Sequence, residues 1–184
     1  PVAPNTPYGT SKLAQEMVAL DAWRDHGIPV VVTRSFNHIG PLQSPDFAAP
    51  GFARQLARIE AGLMPPTLLV GNLEALRDLS DVRDTVRAYR ALMTSGRAGV
   101  RYNVCSGAAV SMQTVLDGLR AHVRVAVTVA QDPARMRPAD TPIVLGDRSR
   151  LTADTGWQPG YSLSTTLADL VERLLGGSSG RATS

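Results

Sequence analysis

"DAWRDHGIPVVVTRSF", residues 21–36, decides the fold. Ahead of it and into it, Tyr8 to Asp25 carries Leu13, Met17, Leu20 and Trp23 at helical spacing, as one stripe. Gly27 ends that helix as a C-terminal glycine does. "PVVVTRSF", 29–36, then runs apolar and β-branched, which predicts a strand covered on both faces. Helix, glycine and buried strand make one beat of an α/β fold with a parallel sheet.

Further along, "NHIGPLQSPDFAAP", 37–50, reads as a long loop, a kind of segment that usually carries function. Residues 51–62 read as a helix and "TLLVG", 67–71, as a short strand. "LRDLSDVRDTVRAYRALM", 76–93, reads as a helix entry, capped by Ser80 or Asp81 with Asp84 at the dipole's positive end. "VRYNVCSG", 100–107, is a strand, Ser111 caps a helix through Leu119, and "VRVAVTVA", 123–130, is a strand. "QDPARMRPADTP", 131–142, is a loop with two arginines, followed by helices over 148–155 and 163–175. The Gly/Ser-rich end, 176–184, predicts a disordered tail. Residues 1–36 therefore read as the end of a doubly wound sheet. Residues 37–175 read mainly as a smaller mixed α/β lobe that returns elements to it.

The 184 residues are 43% hydrophobic and 19% charged, a soluble globular balance. A net charge of +3 comes from scattered arginines, and only 5% of residues are aromatic. A nucleic-acid surface would need a basic stripe with stacking rings, so none is expected. The arginines suit a compact anion such as a diphosphate. No apolar run approaches the ~18 residues of a membrane span, and no signal peptide opens the chain. A single cysteine, Cys105, excludes an internal disulfide and a thiolate metal cage, and points to a reducing, cytoplasmic setting. The chain opens on Pro1 in "PVAPNTPYG", which reads as a loop inside something larger.

Chemistry concentrates at "PYGTSK", 7–12, where Lys12 is the chain's only lysine. Tyr8 and Lys12 stand one helical turn apart on one face. An ammonium there stabilises phenolate and lowers the tyrosine pKa from about 10 toward neutrality. Tyr8 then becomes a usable proton donor at a carbonyl carbon. The same spacing also suits an ordinary exposed helix pair. Asp78, Asp81 and Asp84 at spacing three fit capping better than a metal site, and His38 fits a satisfied loop contact.

"PNTPYGTSK", "VVVTRSFNHIGP", "VGNLEALRDLSDVRD" and "RYNVCSG" occur in the order of the extended short-chain dehydrogenase/reductase family, which this chain resembles from about residue 4 to about residue 160. Within it the text is most similar to the GDP-6-deoxy-4-ketohexose reductases, relatives of GDP-mannose 4,6-dehydratase. The resemblance implies the C-terminal part of a Rossmann-like, doubly wound parallel sheet, ending at residue 36, plus a substrate-binding lobe over 37–175. It implies reduction of the 4-keto group of GDP-4-keto-6-deoxy-D-mannose with NADP or NAD. Tyr8 would protonate the C4 oxygen, and Lys12 would bind the nicotinamide ribose beside it. Asn37 would contact the sugar or diphosphate, and Arg77 would clamp the diphosphate. Val70 and Asn72, in "VGNL", would lie at the guanine pocket. Arg137 would be a second diphosphate arginine, and Asp140 would reach the ribose of the sugar nucleotide. It also implies a homodimer through helix 8–25. The family's Gly-rich dinucleotide turn and the Ser/Thr upstream of the tyrosine are expected before Pro1. A 4,6-dehydratase, a 4-epimerase and a non-catalytic sugar-nucleotide-binding remnant are the alternatives.

Overall fold

A computed structural model describes residues 3–136 and 141–178. Helix α1, Pro7–His26, opens on Thr6, whose side chain accepts from the Gly9 N–H, with Pro7 in the first turn where a missing N–H costs nothing. It closes on Gly27 in the left-handed conformation, φ 67°, a geometry that favours glycine.

Strand β1 is Val32–Ser35, shorter than the predicted 29–36, and it pairs in parallel with β5, Arg101–Val104. Pro29 has no N–H for a ladder, so regular pairing starts later. Alternation sends Val31, Tyr102 and Val104 to one face, where they pack with helices α3, Val82–Ser95, and α5, Ser149–Thr155. Val32, Arg34 and Arg101 take the other face, under α1, where Arg34 and Arg101 meet Glu16. Helices on both faces of parallel strands are the doubly wound arrangement that the opening stretch predicts. The helix stripe divides, however. Leu20 is buried and Trp23 lies on Gly99, while Met17 is 56% exposed. The sheet-facing line runs through Glu16 and Leu20, and Met17 falls to its side.

Two elements correct the reading above. Asn37–Ile39, expected in a loop, form strand β2, parallel to β4. Leu76–Asp81, expected as a helix entry, are strand β4, the centre of the sheet. It pairs in parallel with β2 and β8, Ile143–Val144, and antiparallel with β6, Ala109–Ser111. Asp78 and Ser80 make β4 look unlike a strand, because both polar side chains are buried. The helix that follows starts at Val82, capped by Asp81, which accepts from the Arg83 N–H at 2.7 Å.

A third pair, β3 (Thr67–Val70) and β7 (Thr128–Gln131), is also parallel. The main core lies among α2 (Ala48–Glu60), α4 (Met112–Arg120, capped by Ser111) and α6 (Leu163–Ser178), through Phe52, Leu56, Leu116, Leu119, Leu167 and Leu170. Helix α6 continues to Ser178, beyond the point where the tail was expected to begin. Trp157 plugs the smaller core and donates its indole N–H to the Asp84 carbonyl at 3.2 Å. No described helix is long and apolar enough to cross a membrane.

Candidate active site

β2 and β4 line a cleft of about 440 Å³. Its floor is β2 and β4, its rim is the segment 43–52 with the start of α2, and its far wall is Gly71–Asn72 with residues 134–136. Three of the residues singled out in the sequence, Asn37, Asn72 and Arg77, line it together. Strand alternation explains the floor: Arg77 and Leu79 face the cleft, while Asp78 and Ser80 face the opposite side. Arg77 is half-buried, and its Nη1 donates to the Thr141 carbonyl at 2.7 Å and to its own strand's Leu76 carbonyl at 2.8 Å. Those bonds hold the guanidinium at the cleft wall. Asn72 turns the chain by accepting the Glu74 N–H on its side-chain oxygen at 2.9 Å.

Val70 is a correction. Its side chain is 1% exposed and belongs to the main core, not to the cleft. In β3 the buried positions are Leu68 and Val70, so alternation turns Val70 inward just before the chain reaches Gly71. Arg137 and Asp140 lie outside the described residues.

Arg135, not singled out in the sequence, lines the cleft instead. It ends a short 3₁₀ turn, Pro133–Arg135, which Asp132 caps by accepting the Ala134 N–H at 3.0 Å. That turn lies directly on Gly71: a Cβ there would come 2.5 Å from the Arg135 carbonyl oxygen. "DPAR" holds the signal, an Asx cap followed by proline, which marks an ordered turn that fixes the arginine beyond it. His38 also lines the cleft, its Nδ1 3.3 Å from the Phe36 carbonyl oxygen.

Tyr8 and Lys12 sit on the first two turns of α1, with the ammonium 5.5 Å from the centre of the phenol ring. Lys12 also donates to Gln15 Oε1 at 3.2 Å, and Tyr8 is 71% exposed. Neither lines the cleft. Their level is fixed by packing further along α1. Trp23 lies beside Gly99, whose N–H bonds to the Val30 carbonyl, and Glu16 lies beside Arg34, so α1 runs antiparallel to β1. Tyr8 stands eight residues, about 12 Å, before Glu16.

The sequence profile described as GDP-mannose 4,6 dehydratase matches residues 1–170. The chain belongs to that family. Among relatives of this GDP-mannose 4,6-dehydratase-family chain, the GDP-6-deoxy-D-mannose reductase of Pseudomonas aeruginosa is 41% identical over 164 residues, 89% of this chain and 54% of that one. The dTDP-glucose 4,6-dehydratase of Streptomyces griseus is 32% identical over 171 residues, 93% of this chain and 50% of that one. The solved structure of RMD from Pseudomonas aeruginosa complexed with NADPH superposes with a TM-score of 0.90 at 36% identity, over 95% of this chain and 58% of that one. This family member spans about half the length of the curated relatives it matches. The fold it shares with them is the Rossmann-like α/β class expected from the sequence.

Proposed function

We propose that this chain is the substrate-binding part of a nucleotide-sugar oxidoreductase, and that the full-length protein reduces the 4-keto group of GDP-4-keto-6-deoxy-D-mannose. The observation that carries the reading is the 41% identity to a GDP-6-deoxy-D-mannose reductase over 89% of the chain. The cleft supports it with chemistry of the right kind: Arg77 and Arg135 offer guanidinium forks to a diphosphate, and Asn37 and Asn72 offer amides to sugar and base.

NADP or NAD, when bound, supplies the hydride that reaches C4. The exposed first turns of α1 fit such a partner, since Tyr8 and Lys12 both stand open to an adjoining group. Tyr8 gives its phenolic proton to the C4 oxygen as the ketone becomes an alcohol. Lys12 stabilises the phenolate left behind and binds the nicotinamide ribose. Arg77, with Arg135 and Arg137, holds the diphosphate, so binding energy far from C4 orients the ketone toward Tyr8. Asp140 takes the ribose of the sugar nucleotide.

In this reading the dinucleotide side comprises residues 1–36 with β5, α3 and α5, and the substrate lobe is the remainder of 37–175. A homodimer forms through α1, whose Met17 and Val18 are exposed. Met17→Asp then converts the full-length dimer to monomers in sedimentation. The free, buried Cys105 suits a reducing cytoplasm.

A second reading, 4,6-dehydratase, is favoured by the family's own description and by the Streptomyces griseus relative. Substrate choice separates the two. The reductase reading expects the full-length protein to oxidise NADPH with the GDP-4-keto-6-deoxy sugar and to leave GDP-mannose unchanged. Conversion of GDP-mannose to a 4-keto product without net cofactor consumption selects the dehydratase. Calorimetry with GDP, UDP and dTDP tests the base, and preference for UDP overturns the GDP assignment.

A further inference from the structure

Helix α1 is gripped at one point by charge. Among its described residues only Glu16 and Leu20 are buried. Tyr8 and Lys12 stand on the same helix, toward its N-terminus from Glu16. Tyr8 lies about 12 Å along the helix axis from Glu16.

At its base, both oxygens of the Glu16 carboxylate are engaged. Arg34 forks onto it, Nε to Oε2 at 2.8 Å and Nη2 to Oε1 at 2.9 Å. Arg101 Nε donates to Oε1 as well. Arg34 belongs to β1 and Arg101 to β5, and the register Val32↔Arg101 puts both arginines on the face under α1. One carboxylate is therefore held by two neighbouring strands at once.

We propose that Glu16 is a positioning residue, whose clamp to Arg34 and Arg101 fixes the rotation and height of the helix that carries Tyr8 and Lys12. The proposal rests on the reading of Tyr8 as proton donor. An apolar residue at position 16 would seal the interface equally well but would let the helix roll and slide. A forked ion pair fixes both rotation and height, a use of buried charge distinct from stability. A tilt of about 5° at Glu16 moves Tyr8 by about 1 Å. A misplacement of that size costs on the order of 100-fold in rate.

The test uses the full-length protein with Glu16→Gln, which keeps the side chain's shape, and Arg101→Gln, which loosens the clamp from the sheet side. Steady-state kinetics with the GDP-4-keto-6-deoxy sugar and NADPH are paired with hydrogen exchange read by mass spectrometry. The expected result is faster exchange across 7–15, unchanged protection in α2 and α4, kcat lower by about 10- to 100-fold, and KM for the sugar nucleotide within threefold. Wild-type kcat in both variants overturns the proposal. A fall in kcat that only follows a general loss of protection also overturns it, since that marks a merely structural role. If the wild-type protein reduces no nucleotide sugar, the enzyme reading fails by itself. The exchange arm then still judges the clamp: unchanged protection of 7–15 in Glu16→Gln overturns it, and its selective loss supports it.

Discussion

Ser106 donates both its hydroxyl and its backbone N–H to Asp78 Oδ1, at 2.6 and 2.7 Å. The other carboxylate oxygen accepts the N–H groups of Gly107 at 3.0 Å and Gly146 at 3.2 Å. A fully buried carboxylate on β4 thus ties down the loop after β5 and the segment after β8. It does so directly behind the strand that carries Arg77 into the cleft.

Asp78→Ala leaves three backbone N–H groups without their acceptor, while the Ser106 hydroxyl keeps the Ala108 carbonyl at 3.1 Å. A donor left unsatisfied in a buried setting costs about 1–3 kcal/mol, and because these donors are only half-buried or exposed the variant is destabilised by about 1–3 kcal/mol in all. The thermal midpoint of the full-length protein falls by several degrees, and hydrogen exchange accelerates first at 105–107 and 144–147.

Arg77→Gln removes one guanidinium from the cleft. Hydrogen bonds to charged groups contribute about 1.5–3 kcal/mol, so KM for the GDP-sugar rises about 10- to 100-fold while kcat changes less. Arg77→Lys recovers little of the affinity, because an ammonium cannot hold the Thr141 carbonyl and a diphosphate in one plane. Arg135→Gln, at an exposed position of the far wall, has a smaller effect of about threefold to tenfold. Initial-rate kinetics against sugar-nucleotide concentration distinguish these cases.

Acid should release α1 in a defined direction. The hydrogen bond from Arg34 holds the Glu16 carboxyl below its usual range, outweighing the upward push of burial, and Arg101 adds to it. A depressed folded pKa gives stability above the unfolded value of about 4.3, lost as pH falls through the folded one. The gap in thermal midpoint between wild type and Glu16→Gln therefore closes as pH drops from about 5 to about 3. A gap that widened over that interval would have the wrong sign.

Cys105 is fully buried beside Asp78, and burial with that neighbouring negative charge pushes its thiol up to about 11. The thiolate is the reactive form, so iodoacetamide at pH 8 leaves the native protein unlabelled. Labelling appears in mass spectra only after denaturation.

Much of the fold is legible where local chemistry decides it. Gly27 at the end of α1, Asp81 before Val82 and Ser111 before Met112 mark their boundaries through caps that need no distant partner. β2 and β4 are illegible for the opposite reason. "NHI" and "LRDLSD" are strands because partners far along the chain complete them, and the inward Asp78 is satisfied by N–H groups 28 to 68 residues away. The site divides in the same way. Asn37, Asn72 and Arg77, which the family resemblance singles out, converge on one cleft. Val70 does not, because strand alternation carries it into the core, and Arg135 emerges only once Gly71 is seen to seat its turn.

The central claim is that Tyr8 delivers a proton to C4 as the ketone is reduced. Tyr8→Phe in the full-length protein should lower kcat by about 100-fold or more while leaving sugar-nucleotide affinity nearly unchanged. The most direct measurement supplies the wild-type protein with GDP-4-keto-6-deoxy-D-mannose and NADPH deuterated at the transferable hydride position, then reads the product by mass spectrometry and NMR. The account predicts a GDP-6-deoxyhexose carrying one deuterium at C4 and its near absence with Tyr8→Phe. Unreduced ketone with the wild-type protein, or undiminished deuterium transfer with Tyr8→Phe, would contradict it.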